Sequence, residues 1–169
     1  LDENLMLFYT GIIRTAEKVA KSYVDNIEKK EKQLLIMHDM VDEAIELIAN
    51  DDLDGFGYLL NDAWQKKRSL SKMVSNSQVD EIYASAINAG ALGGKLSGAG
   101  AGGFLLLYVP VEKQPDVKHK LSHLLHVPFN FEPNGSKIIF HDLHKEFKAE
   151  EQSHAENGHK PFVELKDIE

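Results

Sequence analysis

The stretch that most constrains this chain is Gly93-Gly94-Lys95-Leu96-Ser97-Gly98-Ala99-Gly100-Ala101-Gly102-Gly103, which runs straight into Phe104-Leu105-Leu106-Leu107-Tyr108-Val109. Glycine at six of eleven consecutive positions excludes a helix interior. It marks places where φ must turn positive or backbone must approach a neighbour closely. The apolar run, stopped by Pro110, reads as a buried strand. A turn of small residues between apolar elements either joins two strands tightly or offers bare N–H groups to an anion. The lysine precedes the glycines and no Gly-Lys-Ser/Thr follows, so this is not a Walker A loop. Gly98, Gly100 and Gly103 have the spacing of a dinucleotide fingerprint, but a strand follows where that motif needs a helix.

Around this segment the periodicity predicts an ordered series of elements. Leu5 to Tyr9 is a short apolar strand closed by Thr10-Gly11. Ile12 to Tyr23 carries a helical apolar stripe, with Thr10 as its expected N-cap. Glu28 to Lys32 starts a second helix, whose apolar positions run from Leu34 to Ile48. A third runs from Leu53 towards Val74, with Gly55 and Gly57 weakening its first turns. Ser77 and Asp80 form a capping-box pair for a fourth helix bearing Val79, Ile82, Tyr83, Ala86 and Ile87, stopped at Gly90. Gln114 to Leu125 is expected to be helical, and Val127 to Phe131 with Ser136 to Phe140 to form a closing hairpin around Asn134-Gly135. Strand, helices, glycine turn, strand, helix and hairpin make an α+β domain: an antiparallel sheet with helices packed mainly on one face.

Several side chains invite a functional reading beside a plain one. Arg14 lies near a helix start, where a cation gains nothing from the macrodipole; it is either a surface arginine paired with a carboxylate or a phosphate contact. Trp64 with Lys66, Lys67 and Arg68 is either a core ring beside solvated cations or a corner that holds a phosphosugar by stacking and charge. His38 falls among apolar positions and reads as a packed histidine. His119, His123 and His126 are spaced by four and three, but no carboxylate or cysteine completes a zinc pattern. No metal ligands and no catalytic base are assigned.

Lys95-Leu96-Ser97-Gly98-Ala99-Gly100-Ala101-Gly102-Gly103 before an apolar strand resembles the third signature motif of the small-molecule kinases that include galactokinase, homoserine kinase, mevalonate kinase and phosphomevalonate kinase. Leu7-Phe8-Tyr9-Thr10-Gly11 with Arg14, Trp64 to Lys67, and Val74-Ser75-Asn76 are similar to the branch acting on heptose 7-phosphate. The resemblance spans residues 1–142 and implies the ferredoxin-like carboxy-terminal domain of a two-domain kinase. It implies phosphate positioning by Lys95, Ser97, Gly98, Ala99, Gly100 and Gly102, and phosphosugar contacts by Arg14 and Lys67. ATP and Mg²⁺ would be held mainly by an amino-terminal domain, whose Pro-x-x-x-Gly-Leu-x-Ser-Ser loop does not occur in this sequence. The implied chain is thus half of an ATP-dependent sugar kinase, inactive alone. The alternative is a noncatalytic ligand-binding or assembly domain on the same scaffold.

Composition narrows the partners. A net charge of -8 gives no electrostatic case for nucleic acid or an anionic membrane, and no apolar run approaches bilayer length. The absence of cysteine removes thiol chemistry and agrees with a cytoplasmic location. A strand-like run so near Leu1 leads to the expectation that the chain is cut from a longer polypeptide. The expected partners are therefore the phosphosugar, the missing amino-terminal domain and, through a face that domain would cover, a homo-oligomeric copy. Residues 143–169, acidic and histidine-rich with few apolar anchors beyond Phe147 and Phe162, are expected to be a partly flexible tail.

Overall fold

The computed structural model describes residues 1–13, 16–24, 27–138 and 148–157. The chain forms two compact units, Leu1–Phe131 and Glu132–Glu169. In the first, strand β1 (Leu5–Tyr9) is followed by helices α1 (Ala16–Val24), α2 (Glu31–Ala49), α3 (Leu53–Arg68) and α4 (Ser77–Asn88). Strands β2 (Gly93–Leu96) and β3 (Phe104–Tyr108), helix α5 (Gln114–Lys120) and strand β4 (Leu125–His126) complete it.

The sheet order is β2-β3-β1-β4, and every neighbouring pair is antiparallel. β1 and β2 are separated by β3, which is the split arrangement of a ferredoxin-like fold. Registers follow from which faces are apolar. Met6 and Phe8 of β1 and Leu105 and Leu107 of β3 point into one core with Val79, Tyr83 and Ala86 of α4 and with Val117 and Leu121 at α5. Each such fully buried aliphatic or aromatic chain contributes about 1.5–3 kcal/mol. On the other face Leu7, Tyr9, Phe104 and Leu106 stay half-buried or exposed, and the Tyr9 and Phe104 rings pair across the strands at 5.2 Å. Alternating burial therefore puts the helices mainly on one face, as the sequence pattern requires.

α3 reaches the β2 edge by backbone contact. A Cβ on Gly93 would strike the carbonyl of Gly57 and the amide of Asn61, and a Cβ on Gly57 would meet the Tyr108 ring. The glycines that looked like weak points of α3 are where helix and sheet touch. Asp52 caps α3, accepting from the Gly55 amide at 2.9 Å, and Tyr108 Oη donates to Asp54 at 3.1 Å. Burial, followed by that bond to a carboxylate, pushes the Tyr108 phenol up to about 12.

Several expectations are corrected. The first helix begins at Ala16, and Thr10 caps nothing: it is buried and its hydroxyl is spent on Gly103. α3 stops at Arg68, since Ser69 to Val74 forms turns instead. The N-cap of α4 is Asn76, whose side chain accepts from the Val79 amide at 3.0 Å, while Asp80 pairs with Arg68 at 2.8 Å. α5 ends at Lys120, so His123 and His126 do not continue its face. The closing hairpin does not form. Val127 donates to Leu7 at 2.8 Å, and Pro128 then has no N–H to extend the ladder.

In the second unit the Asn134-Gly135 turn is held by the Glu132 carboxylate, which accepts from the Asn134 amide and side chain at 2.9 and 2.7 Å. Those bonds, the amide first, lower the Glu132 pKa. Ile138 is exposed, with no strand there to cover it. Helix α6 (Lys148–Asn157) occupies part of the stretch expected to be a tail. Arg14, Phe140, Phe147 and Phe162 lie outside the described residues.

Candidate phosphate-positioning site

β2 and β3 are joined by the loop Ser97–Gly103, closed at its neck by the Ser97 amide donating to the Phe104 carbonyl at 2.8 Å. The loop's base is clamped from two sides. The Ala101 amide donates to the Val74 carbonyl at 2.7 Å, and Asn76 Nδ2 to the Ala101 carbonyl at 2.9 Å. The Gly103 amide donates to the Ile12 carbonyl at 3.0 Å, while the Thr10 amide and hydroxyl both donate to the Gly103 carbonyl at 2.9 Å. Gly100 sits at φ +116 with the Val74 carbonyl where its Cβ would stand; Gly102 faces the Ile12 carbonyl in the same way. Ala101, at φ +65, accepts a left-handed conformation that costs about 1–2 kcal/mol. The surrounding bonds enforce it.

The outer half differs. Gly98 is exposed, with φ +76 and open space where a Cβ would go. Among the described residues, the amides of Gly98, Ala99, Gly100 and Gly102 donate to no backbone carbonyl. Lys67, near the end of α3, donates from Nζ to the Gly98 carbonyl at 2.5 Å. Burial lowers its pKa, and the nearby Lys95 ammonium lowers it further. Lys95 projects from β2 and is exposed. Neither lysine has a carboxylate partner among the described residues. Unbonded amides and uncompensated positive charge on one loop make an arrangement suited to an anion.

Beside the loop's base lies an open concavity of about 540 Å³ lined by Ile13, Lys18, Lys72, Ser75, Asn76 and Ala101. Ser75 Oγ donates to Asp80 at 2.6 Å, linking its floor to the Arg68 ion pair.

The structure brings Lys67, Lys95, Ser97, Gly98, Ala99, Gly100 and Gly102 to one loop. Trp64, by contrast, is in the core, 1% exposed and 6.2 Å from the Tyr83 ring, so the stacking corner is not formed. His126 packs on Phe8 at 5.2 Å, and burial, then Lys118, lowers its pKa. No group of three or more His, Asp or Glu fit to hold a metal occurs among the described residues. Sequence reasoning missed the clamping roles of Thr10 and Asn76. It also missed Lys18 and Lys72, which nothing in the sequence separates from other surface lysines.

The profile of the family described as GHMP kinases C terminal matches residues 40–126, more than half of the chain. The chain belongs to this family. The GHMP match includes α3, α4, the glycine loop and β3. The D-glycero-alpha-D-manno-heptose 7-phosphate kinase of Campylobacter jejuni is 34% identical over 117 residues, covering 68% of this chain and 34% of that protein. The bifunctional fucokinase/GDP-fucose pyrophosphorylase of Arabidopsis thaliana is 27% identical over 127 residues, covering 72% of this chain and 12% of that one. Among solved structures, L. major mevalonate kinase in complex with R-mevalonate superposes with a TM-score of 0.61 at 26% identity, covering 70% of this chain and 37% of that one. This GHMP domain thus spans about a third or less of the curated relatives it matches. Among the described residues, no helix is long and apolar enough to cross a membrane.

Proposed function

We propose that this chain, over residues 1–142, is the carboxy-terminal half of a cytoplasmic ATP-dependent sugar kinase acting on a phosphorylated seven-carbon sugar. The observation that carries the reading is the glycine loop: amides without backbone partners lie beside the Lys67 and Lys95 ammonium groups. The similarity to a heptose 7-phosphate kinase supports the substrate class. Phosphoryl transfer spreads charge over the transferring oxygens, so fixed N–H donors and cations lower the barrier mainly by alignment and charge stabilisation. Ser97, Gly98, Ala99, Gly100 and Gly102 offer such donors, and Lys95 adds charge. Lys67 holds the loop tip through the Gly98 carbonyl and faces the same anion. Arg14 is proposed as a contact to the sugar phosphate.

The described residues supply neither a carboxylate cluster for Mg²⁺ nor an evident base near the loop. ATP brings the phosphoryl group and would bind chiefly to an amino-terminal domain. The test measures ADP formation by the full-length protein with heptose 7-phosphate, free hexoses and mevalonate, in parallel with the 169-residue chain alone and mixed with its missing half. Turnover with heptose 7-phosphate by the full-length protein and by the mixture, and none by this chain, is expected. Turnover only on mevalonate or a free hexose removes the heptose assignment. Turnover by this chain alone removes the half-enzyme reading, and none on any alcohol leaves a noncatalytic domain.

A further inference from the structure

Helix α2 carries more apolar surface than its neighbour uses. Ile36 and Met40 border Gln65 and Lys66 of α3, and Leu47 reaches Gly55. A second apolar row, Leu34, His38, Val41, Ile45 and Ile48, repeats at spacings of four, three, four and three. That is the seam of a two-helix coiled coil. Val41 is 56% exposed, Ile45 61% and Ile48 42%, and α2 has no buried residue along its 19 positions. At about 1.5 Å per residue the row extends over several turns. Isolated exposed aliphatics need no explanation, but a continuous seam marks a contact surface.

Charge selects the occupant. Lys29, Lys30 and Lys32 stand at the start of α2, and no lysine or arginine occurs from Gln33 to Gln65. Glu46, Asp51 and Asp52 stand at its far end. Two copies side by side in parallel would stack carboxylate on carboxylate. Turned end for end, each lysine-rich start meets a carboxylate-rich finish, and the helix dipoles oppose. We infer that a second copy of this chain covers the outer face of α2. The two helices lie antiparallel, with Leu34 against Ile45 of the partner subunit and His38 against the partner's Val41. This dimer seam is independent of the phosphate-positioning role.

The test is sedimentation equilibrium on the full-length protein. A dimer is expected, with Ile45→Glu raising the dissociation constant about 100-fold because both copies lose a buried side chain. Ile45 is already exposed in the single copy, so the variant's melting at a concentration where both proteins are monomeric should be unchanged. Val41→Asp serves the same purpose if Ile45→Glu misfolds. Because this chain has no cysteine, Leu34→Cys and Ile45→Cys proteins can be mixed under mild oxidation and the disulfides located by peptide mass. A mixed 34–45 disulfide, with neither variant cross-linking itself, supports the antiparallel pair. A monomer at every concentration, a dimer indifferent to Ile45→Glu, or self-cross-linking by Ile45→Cys overturns it.

Discussion

The two halves of the Ser97–Gly103 loop use the same residue types for opposite purposes. At the base, Gly100 and Gly102 are glycine because the Val74 and Ile12 carbonyls occupy the space of a side chain. At the tip, Gly98 is glycine only because its φ is +76; nothing lies within 4 Å of where a Cβ would stand. The base is thus an extension of the core and the tip is a presented surface. A glycine-rich segment in a sequence merges the two, whereas mutation should separate them.

The largest effect is expected at the base. Gly100→Ala places a methyl against the Val74 carbonyl at an already unfavourable φ, and should cost the fold about 3 kcal/mol, read as a lowered denaturation midpoint of the full-length protein. If Gly100→Ala melts like the parent, the clamp is not what fixes the loop. Asn76→Ala comes next: it removes the α4 cap and the bond to the Ala101 carbonyl, about 2 kcal/mol together. It should also raise hydrogen-exchange rates at Ala101 more than at core amides of β3. Equal loosening at both would mean that Asn76 acts only on the helix.

Gly98→Ala should cost about 1 kcal/mol through φ alone. Its main consequence is weaker binding of a nonhydrolysable ATP analogue by the full-length protein. A Gly98→Ala protein that melts and binds normally would remove the tip from the site.

The smallest effect on stability belongs to Lys67, and it is best read by pH. Burial, then Lys95, depresses its folded pKa below 10.5, so the free folded protein gains stability from this group as pH rises through that lowered value towards 10.5. A bound anion favours the charged form and draws the pKa back up. Affinity for tripolyphosphate should therefore fall as pH rises through the free-state value, and Lys67→Met should flatten that dependence. An unchanged alkaline slope in Lys67→Met would assign the charge effect to Lys95 instead.

What was legible in the sequence follows the same division. α4 could be read from Val79, Tyr83 and Ala86, and β3 from Phe104 to Tyr108, because burial leaves a period in side chains. β2 could not. Gly93-Gly94-Lys95-Leu96 has no strand-like composition, and it is a strand because α3 and β3 need bare backbone there. The expected hairpin after Val127 failed because alternation cannot show whether a partner strand exists. At the site, glycines and cations were visible as residue types. The clamps by Thr10 and Asn76 were not, since each joins segments far apart in the chain.

The backbone contact between Gly57 and Gly93 has a consequence for binding entropy. It pins the early turns of α3 to the β2 edge, and the same helix carries Lys67 about 15 Å further on to the Gly98 carbonyl. The lysine is therefore registered to the loop at both ends of one stiff element rather than through its flexible stem alone. A ligand meeting this surface finds donor and cation already ordered. Rotamer freedom that would cost about 0.5–1.5 kcal/mol on binding has been surrendered during folding instead.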